Sequence, residues 1–247
     1  MKVAICYSGM FRGFDKNVEN HITHLISKYD CDVYLNFWDI QGWGGVALKL
    51  DTNTNIIYSD EEHNQIVLNR ILPVTNDEID YVKRKLNPIE CRIDQFNTFE
   101  SFVDKDLKNI TSHFGPPFMK NILSMYYSIQ RCSELIKKDS NYDVILKLRG
   151  DLYFSEDIVL TKPANNTIYY NTLGSWDVAI NDSLIYGNYE TMKIYHNLYN
   201  NLYRLWEECG TYAAPEILLT GHLSNNNVKV IKENFYYRLK RWGGRFD

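Results

Sequence analysis

Tyr142-Asp143-Val144-Ile145-Leu146-Lys147-Leu148-Arg149-Gly150-Asp151-Leu152-Tyr153-Phe154 is an almost unbroken apolar run that ends in an arginine and a carboxylate. Val144, Ile145, Leu146 and Leu148 read as a strand buried on both faces, the type found inside parallel α/β sheets. In open α/β sheets, ligands sit in the crevice beyond the carboxyl ends of such strands. Arg149 and Asp151 therefore fall where an anionic ligand and a metal would be held. Arginine offers a planar fork suited to phosphate, and a carboxylate is a hard oxygen ligand for magnesium or manganese. The same two residues also read as a strand-end ion pair on a loop.

The segments before this run fit the same sheet. Residues 3–7 read as a first strand and Ser8-Gly9-Met10-Phe11-Arg12-Gly13 as a turn. Asp15 can cap the helix that follows, whose apolar stripe is Val18, Ile22, Leu25, Ile26 and Tyr29. A second strand at 31–38 completes a β-α-β unit, which implies a parallel pair. Glycines at 42, 44 and 45 mark an irregular loop over about 40–60. A short helix at 76–86 and a short strand at 88–96 come next. Pro116-Pro117 then opens the clearest helix, with Phe118, Ile122, Met125, Ile129, Cys132 and Ile136 on one face. That helix feeds the strand ending at Arg149, while Asn121, Ser124, Tyr127 and Gln130 lie off its stripe.

The second half is looser. Residues 167–171 and 178–180 read as short strands. Asn188 caps a helix that runs through Met192, Leu198, Leu205 and Cys209 to Gly210. Pro215 begins another helix, and 228–231 form a terminal strand. The basic and aromatic tail from Tyr236 to Arg245 reads as a cover over a diphosphate, a contact with an anionic membrane surface or a solvated helix end. The whole is an α/β fold of one domain, residues 1–247, with a nucleotide-type half over about 1–154 and an acceptor-type half over about 155–247.

Composition excludes several classes. With 247 residues the chain can bury a substantial core, and a net charge of -4 lacks the basic footprint of a nucleic-acid binder. The five cysteines are scattered without a C-x-x-C pair, which supports reduced thiols and a cytoplasmic protein over zinc or a disulfide framework. The apolar run at 1–7 is too short for a signal peptide, and no window has the length of a transmembrane segment.

Several residues could carry chemistry. The Ser8–Gly13 turn follows a first parallel strand, where glycine lets backbone approach phosphate and a helix N-terminus favours negative charge. Its spacing is neither G-x-G-x-x-G nor a Walker A sequence, and a plain tight turn fits it as well. Asp177 and Asp182 flank a short apolar stretch, where either could be a general base for a hydroxyl or simple turn chemistry. Glu216 falls in the first turn of its helix, where a carboxylate also suits the macrodipole. His222 could contact a metal or diphosphate, or be structural.

Taken together, four places resemble a family of small glycosyltransferases with a GT-A-like fold, found in large DNA viruses and bacterial polysaccharide gene clusters. They are residues 3–12 with 32–38, residues 121–130, residues 142–154, and residues 181–187 with Pro215-Glu216 and His222-Leu223. The resemblance implies a Rossmann-type, mainly parallel sheet flanked by helices. It implies transfer of a sugar from a nucleoside-diphosphate donor to a hydroxyl of a glycan or glycoprotein. By position, Ser8, Gly9 and Arg12 look like the nucleotide-facing turn, and Asn121, Ser124 and Gln130 like the helix flanking the donor pocket. Arg149 and Asp151 stand where many such enzymes carry Asp-x-Asp, so Asp151 is the expected ligand for Mn2+ or Mg2+. Arg149 replaces the first aspartate and could itself neutralise phosphate. Asp182 and Glu216 resemble the catalytic or acceptor-side carboxylates, Asp182 ahead of Glu216. The alternatives are a non-catalytic nucleotide- or glycan-binding protein on the same fold and a sugar-nucleotide nucleotidyltransferase.

Overall fold

In the computed structural model, strand β1 (Lys2–Gly9) alternates between two cores. Ala4 and Cys6 point to one, and Val3, Ile5 and Tyr7 to the other. Strict alternation with both faces apolar is what a central strand between two helical layers requires. The structure describes residues 1–42, 50–51, 56–57, 72–107, 116–137, 141–171, 179–207, 210 and 214–240. Asp177, most of the expected 40–60 loop and the tail beyond 240 lie outside the described residues.

The strands that follow are β2 (Asp30–Trp38), β3 (Leu50–Asp51), β4 (Ile56–Ile57), β5 (Glu90–Asp94), β6 (Val144–Leu148), β7 (Leu152–Phe154), β8 (Thr167–Asn171), β9 (Leu184–Gly187), β10 (Lys229–Glu233) and β11 (Tyr237–Leu239). The main sheet has seven strands in the order β10-β8-β9-β6-β1-β2-β5. β1 pairs parallel with both β2 and β6, β2 with β5, and β10 with β8. β9 runs antiparallel between β6 and β8. The expected mixed, mainly parallel sheet is therefore present, and residues from both halves of the chain share it.

The helices are α1 (Val18–His24), α2 (Asn76–Leu86), α3 (Phe96–Leu107), α4 (Pro116–Ser133), α5 (Tyr189–His196), α6 (Leu198–Glu207) and α7 (Pro215–Asn225). α4 lies against β1 and β2, and its Ile122, Tyr126, Ile129 and Cys132 join Met192, Leu202 and Leu218 in one core. On the other face, Phe14, Val18, Val82, Leu86, Leu152 and Phe154 close the second core. Sequence chemistry sets several helix ends. Thr75 and Glu78 form a reciprocal capping box at the start of α2, and Asn188 accepts from the Thr191 amide at 2.9 Å at the start of α5. Among the described residues, no helix is long and apolar enough to cross a membrane.

Four expectations need correction. Asp15 does not cap α1, because a 3-10 turn at Phe14–Lys16 intervenes and Asn17 holds the cap position. Asn17 is drawn elsewhere: its amide donates to the backbone oxygens of Gly150 and Lys240 at 3.1 and 3.0 Å. The helix expected from 188 to 210 breaks at Asn197 into α5 and α6. Ala179 and Ile180 are not in a strand, and the Ile180 amide is instead satisfied by Thr220 Oγ1 at 3.1 Å. Residues 237–239 are not a helix end but β11, paired antiparallel with β7.

Candidate active site

The carboxyl ends of β1 and β6 lie side by side, with Tyr7 opposite Leu148. Just past them, Arg149 turns back over Gly150 to Asp151. Arg149 Nε donates to Asp151 Oδ1 at 2.9 Å and Nη2 to Oδ2 at 2.6 Å, a two-point fork on one carboxylate. Arg12 reaches the same Oδ2 from the β1 turn at 3.3 Å. Gly150 permits the fold-back, since a Cβ there would stand 2.7 Å from Phe14 Cγ. The Asp151 side chain is fully enclosed (0%), whereas those of Arg12 and Arg149 keep 18% and 20% of their surface. The cleft therefore presents guanidinium to solvent, with the carboxylate beneath it. Burial alone would lower Arg149, but the Asp151 carboxylate more than offsets this and raises it above its ordinary value.

A second ion pair adjoins the first. Lys147 sits one position beyond Leu146 on the α4 side of β6 and is buried. Its ammonium donates to the backbone oxygen of Asp182 and, at 3.3 Å, to the Asp182 carboxylate. Burial would raise Asp182, yet Lys147 and then Arg149 bring it below the usual carboxylate range. Glu216, in the first turn of α7, feels the opposite balance: burial and then repulsion from Asp182 raise it. The two carboxylates thus differ in proton affinity because Lys147 is bonded to Asp182, whereas at Glu216 burial and the Asp182 charge outweigh the pull of Arg149.

The cleft, a floor of about 60 Å3, is lined by Ser8, Gly9, Met10, Arg12, Trp38, Asn121, Ser124, Met125, Lys147, Arg149, Asp151 and Asp182. The structure thus gathers Ser8, Gly9, Arg12, Asn121, Ser124, Arg149, Asp151 and Asp182; Glu216 does not line this cleft, although it is near enough to Asp182 and Arg149 to feel their charges. It does not bring Gln130 there. Nine residues along α4 from Asn121, about 13 Å of helix, Gln130 lines a separate groove of about 900 Å3. His222 lines that groove too and donates Nε2–H to the Ile194 oxygen at 2.8 Å, a structural contact. The larger groove is lined by Arg204, Lys193, Glu134 and Glu190 but by no aspartate, and it does not reach the strand ends.

The β1 turn does not offer its backbone as expected. The Gly9 amide donates to Ser128 Oγ at 2.8 Å, Arg12 to the Gln41 oxygen at 2.9 Å and Gly13 to Gln41 Oε1 at 2.9 Å. Left-handed φ values at Gly9, Arg12 and Gly13 make these inward contacts possible. The turn contributes side chains to the cleft instead.

The expected metal does not fit Asp151. Both of its oxygens are already engaged by guanidinium, and a cation would have to displace Arg149 or Arg12 to reach them. Among the described residues, no group of three or more His, Cys, Asp or Glu side chains could hold a metal ion.

Lys147, Trp38, Met10 and Met125 were not anticipated. A lysine within an apolar β-strand was the available signal for the first, because a buried ammonium requires a partner. Trp38 stacks on Tyr127 at 5.8 Å between ring centres, beside Phe96 and Phe99, and its burial hides it among ordinary core aromatics.

No protein-family model matches the chain, and none of the curated proteins does. Among solved structures, mouse xyloside xylosyltransferase 1 in its apo form aligns with a TM-score of 0.41 and 8% identity, covering 94% of this chain and 84% of that one.

Proposed function

We propose that the protein is a glycosyltransferase that moves a sugar from a nucleoside-diphosphate donor to a hydroxyl of a glycan or glycoprotein, within the GT-A-like family its sequence resembles. The observation that carries this reading is the convergence of Arg12, Lys147 and Arg149 at the carboxyl ends of β1 and β6, with Asp182 and Glu216 alongside. In the transfer step, the bond from the anomeric carbon to the diphosphate oxygen breaks and its electron pair stays on the diphosphate. Arg12 and Arg149 stabilise that growing charge. The acceptor oxygen bonds to the anomeric carbon, and Glu216, held above the usual carboxylate range by burial and the Asp182 charge, takes the hydroxyl proton. Asp182 fixes the Lys147 ammonium in the same wall. Asn121 and Ser124 flank the donor, while Ser8 and Gly9 edge it. A cytoplasmic site of action belongs to this reading, supported by free thiols at Cys6, Cys31, Cys91 and Cys132.

The nucleotidyltransferase alternative needs free amides in the first turn, and those of Gly9, Arg12 and Gly13 are occupied. The non-catalytic alternative is favoured by the enclosure of Asp151. The deciding experiment is nucleotide release from a panel of nucleoside-diphosphate sugars with a mixture of sugar acceptors. Turnover that falls roughly 10²–10⁴-fold in Glu216→Gln, with donor binding retained, supports the enzyme. Donor binding without turnover by the unaltered protein would move the conclusion to a binding protein.

A further inference from the structure

We infer that the donor diphosphate is held without a divalent cation, on a floor of guanidinium groups for which Asp151 is the buried counter-anion. This rests on the donor site proposed above and specifies its chemistry. Three features lead to it. First, accessibility runs opposite to what a metal site needs, since the Asp151 side chain is enclosed while Arg12 and Arg149 reach the cleft. Second, the Asp151 fork uses Nε and Nη2 of Arg149. Among the described residues no partner takes Nη1, which leaves a fixed donor for a phosphoryl oxygen. Third, the Ser8 hydroxyl is buried, lines the same cleft and lacks a hydrogen-bond partner among the described residues. An orphaned buried hydroxyl beside an arginine fork is a vacancy that a phosphate oxygen would fill.

Charge supports the same conclusion. Arg12 and Arg149 keep surface in the cleft while the Asp151 side chain is fully enclosed, so an entering ion meets guanidinium first. A divalent cation entering this field would be repelled, whereas an anion would be drawn in. Asp151 acts as a positioning residue: it sets the plane of Arg149 and does not touch the ligand.

Titration calorimetry with UDP, GDP, dTDP and ADP, each in EDTA and in 1 mM Mn2+, tests this. At least one diphosphate should bind in EDTA, with Kd changed less than about twofold by manganese. Arg149→Lys, which keeps charge but loses the fork, should weaken that binding at least tenfold. Asp151→Asn, which retains an oxygen to accept from Arg149, should keep metal-free binding within about fivefold. Binding that appears only with manganese, or that Asp151→Asn abolishes in a folded protein, overturns the inference and leaves the glycosyltransferase reading intact. Absence of binding by every diphosphate in both conditions overturns both.

Discussion

Lys147 and Asp182 are buried against each other across the β6–β9 pair, ammonium to carboxylate at 3.3 Å, with little of either side chain exposed. Desolvation works against both charges, and the largest offset to each is the other, with Arg149 adding to it at Asp182. Lys147→Met should therefore destabilise the protein by about 3–5 kcal/mol, since an unpaired carboxylate remains. Adding Asp182→Leu should recover most of that loss while abolishing donor turnover. Urea unfolding of the single and double variants measures it, and additive losses would disprove the pairing.

His21 makes stability depend on pH. It is fully buried, accepts from Tyr7 Oη at 2.9 Å through Nδ1 and donates from Nε2 to the Leu152 oxygen at 2.7 Å. Burial pulls it from 6.5 to about 4, outweighing the Leu152 oxygen and Asp151, which both favour the proton. Between those values the unfolded chain binds a proton that the native chain refuses. Stability is thus complete above about pH 6.5 and falls toward pH 4, by an amount on the order of 3 kcal/mol. His196, lowered to about 3 chiefly by burial, adds a slope of the same sign. The test is the difference between wild type and His21→Gln in urea unfolding at pH 4.5 and 7. A slope unchanged by the substitution would remove His21 as its source.

Gly150 is fixed by space. A methyl group would meet Phe14 Cγ at 2.7 Å and Cβ at 2.9 Å, and Phe14 is itself sealed in the core. Gly150→Ala should cost about 1–3 kcal/mol and lower Tm by several degrees. Phe14→Leu in the same chain should return part of it. Thermal unfolding of the two variants reads both effects.

Ser128 ties three elements together. It accepts from the Gly9 amide at 2.8 Å and donates to the Asn36 oxygen at 3.0 Å, so α4 fixes the β1 turn from behind. Ser128→Ala strands both groups and should destabilise by about 1–3 kcal/mol. It should also weaken nucleoside-diphosphate binding, because Arg12 hangs on that turn. Calorimetry with unchanged affinity would uncouple the turn from the floor.

The strand leading into Arg149 was legible because an uninterrupted apolar run has few other destinations, and α4 because its spacing repeats over five turns. Arg149 and Asp151 were found by position alone. Their mutual grip was not foreseeable, since nothing in Arg-Gly-Asp says whether the chain bends the arginine inward or lets it extend. Lys147 was overlooked because one cation barely disturbs a hydrophobic pattern, although burial gives it great weight. β11 was misread because its residues alternate only weakly in burial and carry basic side chains, so its pairing with β7 is a tertiary fact. Asn17 carried no signal in the sequence, because its bonds to Gly150 and Lys240 depend on residues more than a hundred positions away.

The pairing of β11 with β7, together with the Lys240 amide on the Asp151 oxygen at 2.8 Å, has a consequence for biosynthesis. Arg12, Arg149 and Asp151 leave the ribosome well before residues 237–240 do. Until residues 237–240 clear the exit tunnel, the loop bearing Asp151 lacks its edge strand and Asn17 lacks one of its two acceptors. Nascent chains stalled before Tyr237 should expose the arginines on an unfastened loop, and the Arg12–Arg149–Asp151 cluster is fastened only once residues 237–240 have emerged.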